Sequence, residues 1–324
     1  MKRTILIIIV ILIFLAGIGV LSYPLISSVI NNMAVREGAN TYHHAVEQID
    51  KSEIEEQFDE AEKYNESLHR VILTDPFDAK SYGLIGENYS NTFTMSSDGV
   101  IGYIEVPKIN VYLPIYHGTS LDVLSRGAGH LEHSSLPIGG KSTHSVISAH
   151  SAFPGETFFD YLTDLEEGDV FYLYVLDRTL KYEVDKISVV LPNDTAGLQI
   201  VDGEDYVTLV TCTPYSVNTH RLLVRGTRVP YDPSEDAAQS TTNIRFADGH
   251  LFFLGYKLPY VTVGLIIGGF VLFVAAVVVA IVLARKSKKK KLIGRDRGSA
   301  PDNAEPSDTD PDHKADGPGG DDEG

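Results

Sequence analysis

Two apolar runs bracket this chain, and they limit what it can become more than any other feature. The first, from Ile5 to Leu21, follows Met1-Lys2-Arg3; the second, from Tyr260 to Ala284, is followed at once by Arg285-Lys286-Ser287-Lys288-Lys289-Lys290-Lys291. Each is about the length that crosses a hydrocarbon core, and basic residues beside a span mark its cytoplasmic side. Both basic flanks therefore share one compartment, and residues 24–258 fold on the other side. The expected layout is an N-terminal transmembrane anchor over 1–23, a C-terminal transmembrane helix over 259–284, and a basic stop-transfer segment opening a tail over 285–324. A cleaved signal peptide, with Ala16-Gly17 as its small residues, is the alternative for the first run, whose length favours an uncleaved anchor. The tail from Gly294 onward is rich in Asp, Pro and Gly, cannot bury enough surface to fold, and is expected to be disordered in the cytoplasm.

The external segment has to be stable without disulfides, because the 324 residues contain one cysteine, Cys212. An unpaired thiol in an oxidising compartment needs a reason to persist. The formal charge of −17 excludes nucleic acid as a natural partner, since phosphate contacts need clustered Lys and Arg, and the dense basic cluster after Ala284 has a membrane explanation.

Cys212 ends a run of strand-forming residues, Tyr206-Val207-Thr208-Leu209-Val210-Thr211. A turn on Pro214, Ser216 and Asn218 leads into a second apolar run, Leu222-Leu223-Val224, which Arg221 begins. If the two runs pair, Cys212 and Arg221 face each other. A guanidinium beside a thiol favours the thiolate, and the same cation steadies an oxyanion during acyl transfer.

The T-L-V-T-C segment at 208–212 and the N-T-H-R-L-L-V-R-G segment at 218–226 resemble the active-site strands of sortases, the cysteine transpeptidases of Gram-positive cell surfaces. The resemblance runs from about Val100 to Val229. It implies a third catalytic residue, a histidine about sixty positions upstream at a strand end, and Thr143-His144-Ser145-Val146-Ile147-Ser148-Ala149-His150 supplies His150. Relatives commonly have Gly before this His and Arg-Gly after it, whereas Ala149 and Ser151-Ala152 stand here. Arg225 is expected on the same strand face as Arg221 and is a possible substitute, but the residue order matches Arg221. His130, His133, His144 and His150 match no common zinc spacing, and no metal or organic cofactor is expected; His130 and His144 are read as hydrogen-bonded scaffold residues.

Ahead of the barrel, residues 34–73 read as helix, with Val46, Ile49, Ile54, Phe58, Ala61, Leu68 and Ile72 recurring on one face. Asp75-Pro76-Phe77-Asp78 is a turn on local grounds. It also resembles the Asp-Pro-aromatic lid of pilin-assembling (class C) sortases, with Phe where many relatives have Trp. Strands are expected at Val100–Val106, Val111–Tyr116, His144–Ala149, Val170–Leu176 and Leu180–Val190, besides the pair around Cys212. The fold class is therefore an all-β sortase-like barrel over 100–229, with an N-terminal helical region over 34–99 carrying the lid at 75–77. A polar, turn-rich linker over 230–258 and the two spans complete it.

The resemblance implies cleavage of an LPXTG-like sorting signal between Thr and Gly. Cys212 would be the nucleophile, Arg221 the oxyanion partner and His150 the acid that protonates the leaving amine. The acceptor would be a lysine of a pilin subunit in pilus assembly, or a cell-wall amine in an anchoring enzyme. A cysteine hydrolase and a non-catalytic surface scaffold are the readings from other classes. Substrates would be pilins or surface proteins with such signals, and the enzyme would sit in the plasma membrane with both termini cytoplasmic.

Overall fold

The computed structural model describes residues 2–68, 73–78, 87–93, 99–154, 156–236, 244–247, 250–253 and 256–296. It forms two compact units, Met1–Tyr260 and Val261–Gly324.

The first unit opens with helices α1 (Lys2–Glu47) and α2 (Lys51–Ser67). The single helix expected over 34–73 is broken because Asp50 adopts an extended conformation and accepts a hydrogen bond from the Ser52 amide, capping a new start. Ile54, Phe58 and Ala61 are buried on one face of α2, as the periodicity requires. Leu68 is buried just past its end, and Ile72 lies outside the described residues. The Tyr42 hydroxyl donates to the Ile101 carbonyl and accepts from the Leu176 amide, which fixes the end of α1 to the barrel. Asn65 exchanges two hydrogen bonds with the backbone of Leu136 and fixes α2 in the same way. A short helix α3 (Glu87–Ser90) follows.

The strands are β1 (Val100–Val106), β2 (Val111–His117), β3 (Ala128–His130), β4 (Thr143–Ser148), β5 (Val170–Val175), β6 (Arg178–Val190), β7 (Asp205–Thr213) and β8 (His220–Val229), with α4 (Leu121–Arg126) between β2 and β3. They close into a barrel in the order β1-β2-β3-β4-β7-β8-β6-β5. Closure leaves no free edge. The β2–β3 and β4–β7 pairs are parallel, which places β4 beside β7 although 56 residues lie between Ser148 and Asp205 in the chain. Inside the barrel Phe171 and Tyr182 stack with ring centroids 5.6 Å apart, directly against Gly226. A Cβ at position 226 would lie 2.6 Å from the Phe171 ring and 3.0 Å from Tyr182 Cβ. Gly226→Ala is therefore expected to destabilise the domain by about 1–3 kcal/mol, because a close-packed core cannot absorb the atom. A thermal melt unchanged from the parent would contradict this.

The segment read as a linker over 230–258 carries structure of its own. A helical turn α5 (Pro233–Asp236) is followed by β9 (Ile244–Ala247), β10 (His250–Phe253) and β11 (Tyr256–Pro259), paired antiparallel in the order β11-β10-β9. The second unit contains nearly all of helix α6 (Tyr260–Asp296), which runs on through the basic cluster, so Gly294 to Asp296 of the expected disordered tail are helical; residues 297–324 lie outside the described set. The two apolar runs of the sequence fall within α1 and α6. Among the described residues no helix is long and apolar enough to cross a membrane, so the two flanking transmembrane helices are not supported here.

Candidate active site

Three neighbouring strands bring the expected residues into one row. In the antiparallel β7–β8 pair Cys212 stands directly opposite Arg221, the arrangement inferred from the two apolar runs. In the parallel β4–β7 pair Ser148 stands level with Val210, and the Ala149 amide donates to the Val210 carbonyl at 3.2 Å, extending the ladder past the end of β4. Continued two residues past that last pair, the same register sets His150, just beyond the end of β4, level with Cys212. The Ser151 hydroxyl secures that alignment by donating to the Cys212 carbonyl at 2.7 Å.

The segment before the barrel lies over this row. Asp75 Oδ1 accepts from Arg221 Nε at 2.9 Å and Oδ2 accepts from Arg221 Nη2 at 2.7 Å, a two-pronged ion pair whose side chains are only 10% and 11% exposed. Asp75-Pro76-Phe77-Asp78 is the turn its sequence indicates, with the Asp78 amide donating to the Asp75 carbonyl. The Phe77 ring sits 5.6 Å from the His150 ring and 5.1 Å from the Arg221 guanidinium. Beneath the segment, Leu73 packs with Leu131, Val146, Leu198, Val210 and Leu223 in an apolar patch separate from the barrel core, with Phe77 against its border. Strand alternation puts Val146, Val210 and Leu223 on the same face as His150, Cys212 and Arg221. The segment thus packs on an apolar patch carried by the same strands as the Cys212 row.

Burial dominates the electrostatics. Cys212 is 8% exposed, and desolvation pushes its thiol pKa up; Arg221 pulls it down, and the Asp75 carboxylate adds to the rise. Desolvation lowers the pKa of His150. Both shifts favour a neutral thiol and a neutral imidazole while the segment is in place.

A sortase-domain family model matches residues 104–229. Among curated proteins, sortase D of Bacillus subtilis is 33% identical over 131 residues, 40% of this chain and 63% of that protein. The chain thus covers a little under two thirds of that relative. Among solved structures, sortase C-1 of Streptococcus pneumoniae superposes with a TM-score of 0.57 at 42% identity, covering 60% of this chain and all of that one. This chain belongs to the sortase family. A structure described as the pilus-related sortase C of Group B Streptococcus is 48% identical, with a TM-score of 0.54, covering 58% of this chain and 95% of that one. The solved structures that it resembles thus include class C, pilin-type sortases.

Arg225 of this sortase has a different setting from Arg221. Asp185 on β6 holds it by two hydrogen bonds of 3.0 and 2.8 Å, and it stacks 4.0 Å over Tyr206. Its cross-strand partner is Thr208, four residues before Cys212 and so about 13 Å away along the strand. His130 is fully buried between the Tyr89 hydroxyl at Nδ1 and the Ser135 carbonyl at Nε2, and burial lowers its pKa to about 3. His144 bonds the Gln199 carbonyl and the Thr208 hydroxyl, with its pKa lowered to about 4 by burial. Both serve the scaffold. His133 lies elsewhere, its amide bonded to the Tyr64 hydroxyl, and among the described residues no group of three or more His, Cys, Asp or Glu could hold a metal ion.

Several residues around the row carried no sequence signal. Phe153 stacks on the His150 ring at 5.4 Å and 12°, opening a small aromatic cluster with Phe158. Ser151 is the one neighbour whose place could have been read, since it adjoins His150. Asp160, whose carboxylate accepts from the Ala152 amide eight residues earlier, could not.

Proposed function

We propose that this sortase is a cysteine transpeptidase that cleaves an LPXTG-like sorting signal between Thr and Gly and joins the threonyl carbonyl to a lysine amine of a pilin subunit. The observation that carries the proposal is Cys212 directly opposite Arg221 on β7 and β8, with His150 just beyond the end of the neighbouring β4 and the Phe77 ring against both His150 and Arg221. The Cys212 thiolate attacks the threonyl carbonyl carbon, and the carbonyl electrons move onto oxygen, where Arg221 stabilises them. As the carbonyl re-forms, the C–N bond breaks and protonated His150 gives its proton to the departing glycyl amine. A thioester to Cys212 remains. The incoming amine attacks it, neutral His150 takes the excess proton, and the thiolate leaves.

The Asp75-Pro76-Phe77 segment acts as a lid in this scheme. Its carboxylate holds the guanidinium that the oxyanion needs, and Leu73 and Phe77 cover the apolar patch beside the row, where the signal peptide would lie. The likeness to the Group B Streptococcus enzyme described as pilus-related supports a pilin lysine as acceptor over a cell-wall amine. Thioacyl enzyme offered a lysine-bearing pilin domain and a cell-wall peptide amine in competition should partition to the pilin; preference for the wall peptide would make this an anchoring sortase, and release to water alone a hydrolase.

We infer further that the runs at 5–21 and 260–284 cross the plasma membrane and hold the barrel outside the cell. Their length and same-side basic flanks support this. Protease added to intact cells stripped of wall is expected to degrade the barrel and spare an epitope placed after Lys291. Loss of that epitope with membranes intact would reverse the topology.

A further inference from the structure

Ala152 lies two residues after His150 and has a φ of +59°. A residue with a Cβ enters this left-handed region at a cost and stays there only where its surroundings hold it. The sequence has no glycine here, so something else must fix the turn. Asp160 does so. Its Oδ1 accepts the Ala152 amide at 3.0 Å and its Oδ2 accepts the Phe158 amide at 3.1 Å. The Tyr215 side chain, from the loop that leaves Cys212, also hydrogen-bonds to the carboxylate. The Phe159 amide closes the same loop onto the His150 carbonyl at 3.0 Å. Immediately after the turn, Phe153 lies stacked on the imidazole.

We propose that Asp160 is a positioning residue for His150: it holds the left-handed turn that lays Phe153 on the imidazole, and through Tyr215 it ties that turn to the loop leaving Cys212. Small errors in the placement of a proton donor cost large factors in rate. Burial lowers the His150 pKa, and the Asp160 carboxylate contacts the turn beside the ring, not the ring itself, so it acts on where the imidazole lies. The inference rests on the role given to His150 above.

The test is single-turnover thioacyl formation by the full-length chain with an LPXTG-type peptide, followed by intact mass, in Asp160→Asn, Tyr215→Phe, His150→Ala and the two doubles with His150→Ala. Asp160→Asn replaces a carboxylate oxygen with an amide donor and is expected to slow thioacyl formation about tenfold or more at saturating peptide. The half-saturating peptide concentration should stay within about twofold, since peptide binding does not pass through proton transfer at His150. Tyr215 is 61% exposed, so Tyr215→Phe should fold even if the aspartate variant does not. Loss of its hydrogen bond to Asp160 should slow the step about two- to tenfold. On the His150→Ala background both effects should vanish. Slowing that persists there, or no slowing in either single variant while His150→Ala is impaired, would overturn the inference alone. Normal thioacyl formation by His150→Ala would remove the proposed role of His150, and this inference with it.

Discussion

Arg221→Ala is expected to lower kcat for cleavage of a sorting-signal peptide by about two to three orders of magnitude, the usual cost of removing a donor to a developing oxyanion. Cys212→Ala should abolish cleavage. Both proteins should remain folded: Arg221 lies at the start of β8, outside the barrel core, and Cys212→Ala removes a single heavy atom near the end of β7. Arg221→Lys should recover little, because a point charge on a flexible stem does not reproduce a planar fork aimed across the strand pair. Arg225 cannot substitute, being held by Asp185. Circular dichroism of each variant alongside peptide cleavage separates lost chemistry from lost fold, and near-parent turnover by folded Arg221→Ala would end this mechanism.

Asp75→Ala combined with Phe77→Ala is expected to act in the opposite direction, speeding alkylation of Cys212 by a small reagent and raising cleavage of a short signal peptide. The lid tip is held by a two-pronged, largely buried ion pair and one aromatic ring, together of the order of a few kcal/mol, and each 1.4 kcal/mol is a factor of ten. An increase of about tenfold or more should follow. It should stop short of full exposure, because Leu73 stays packed in its apolar patch and its carbonyl still accepts from the Thr195 hydroxyl. The pH profile carries a second signature. The Asp75 charge raises the Cys212 pKa, so its removal should shift the midpoint of the alkylation profile to lower pH. If the double variant reacts no faster and at the same midpoint, Asp75-Pro76-Phe77 is an ordinary surface turn.

The β7–β8 pair was legible because it is local: two β-branched runs separated by a short turn have few ways to pair, and the Cys212–Arg221 opposition follows from that register. His150 needed the family resemblance, since nothing in its own segment says that β4 will lie parallel to a strand 56 residues further on. β3 was missed because three residues, Ala128–His130, are too few to show alternation. The four-residue strands β9, β10 and β11 were hidden in the same way and read as linker. The break between α1 and α2 turns on one capping aspartate, Asp50, inside an unbroken hydrophobic period that argued for one helix. Asp75 was legible as a turn residue from its neighbours. Its ion pair with Arg221, 146 positions away, follows from reading the tripeptide as a lid over the cleft, a reading that needed the family resemblance because nothing local brings the two together. Asp160 gave no sign at all, because its task is set by the conformation of Ala152 and by a tyrosine from another loop.

Acyl transfer through Cys212 passes through a covalent thioester, which the intact mass of the protein reveals after incubation with an LPXTG-type peptide. The account expects a mass increase equal to the acyl fragment ending at threonine, mapped to Cys212, absent in Cys212→Ala and discharged by added amine. An unmodified protein in the lid-opened Asp75→Ala, Phe77→Ala variant, or an adduct that persists in Cys212→Ala, would contradict it.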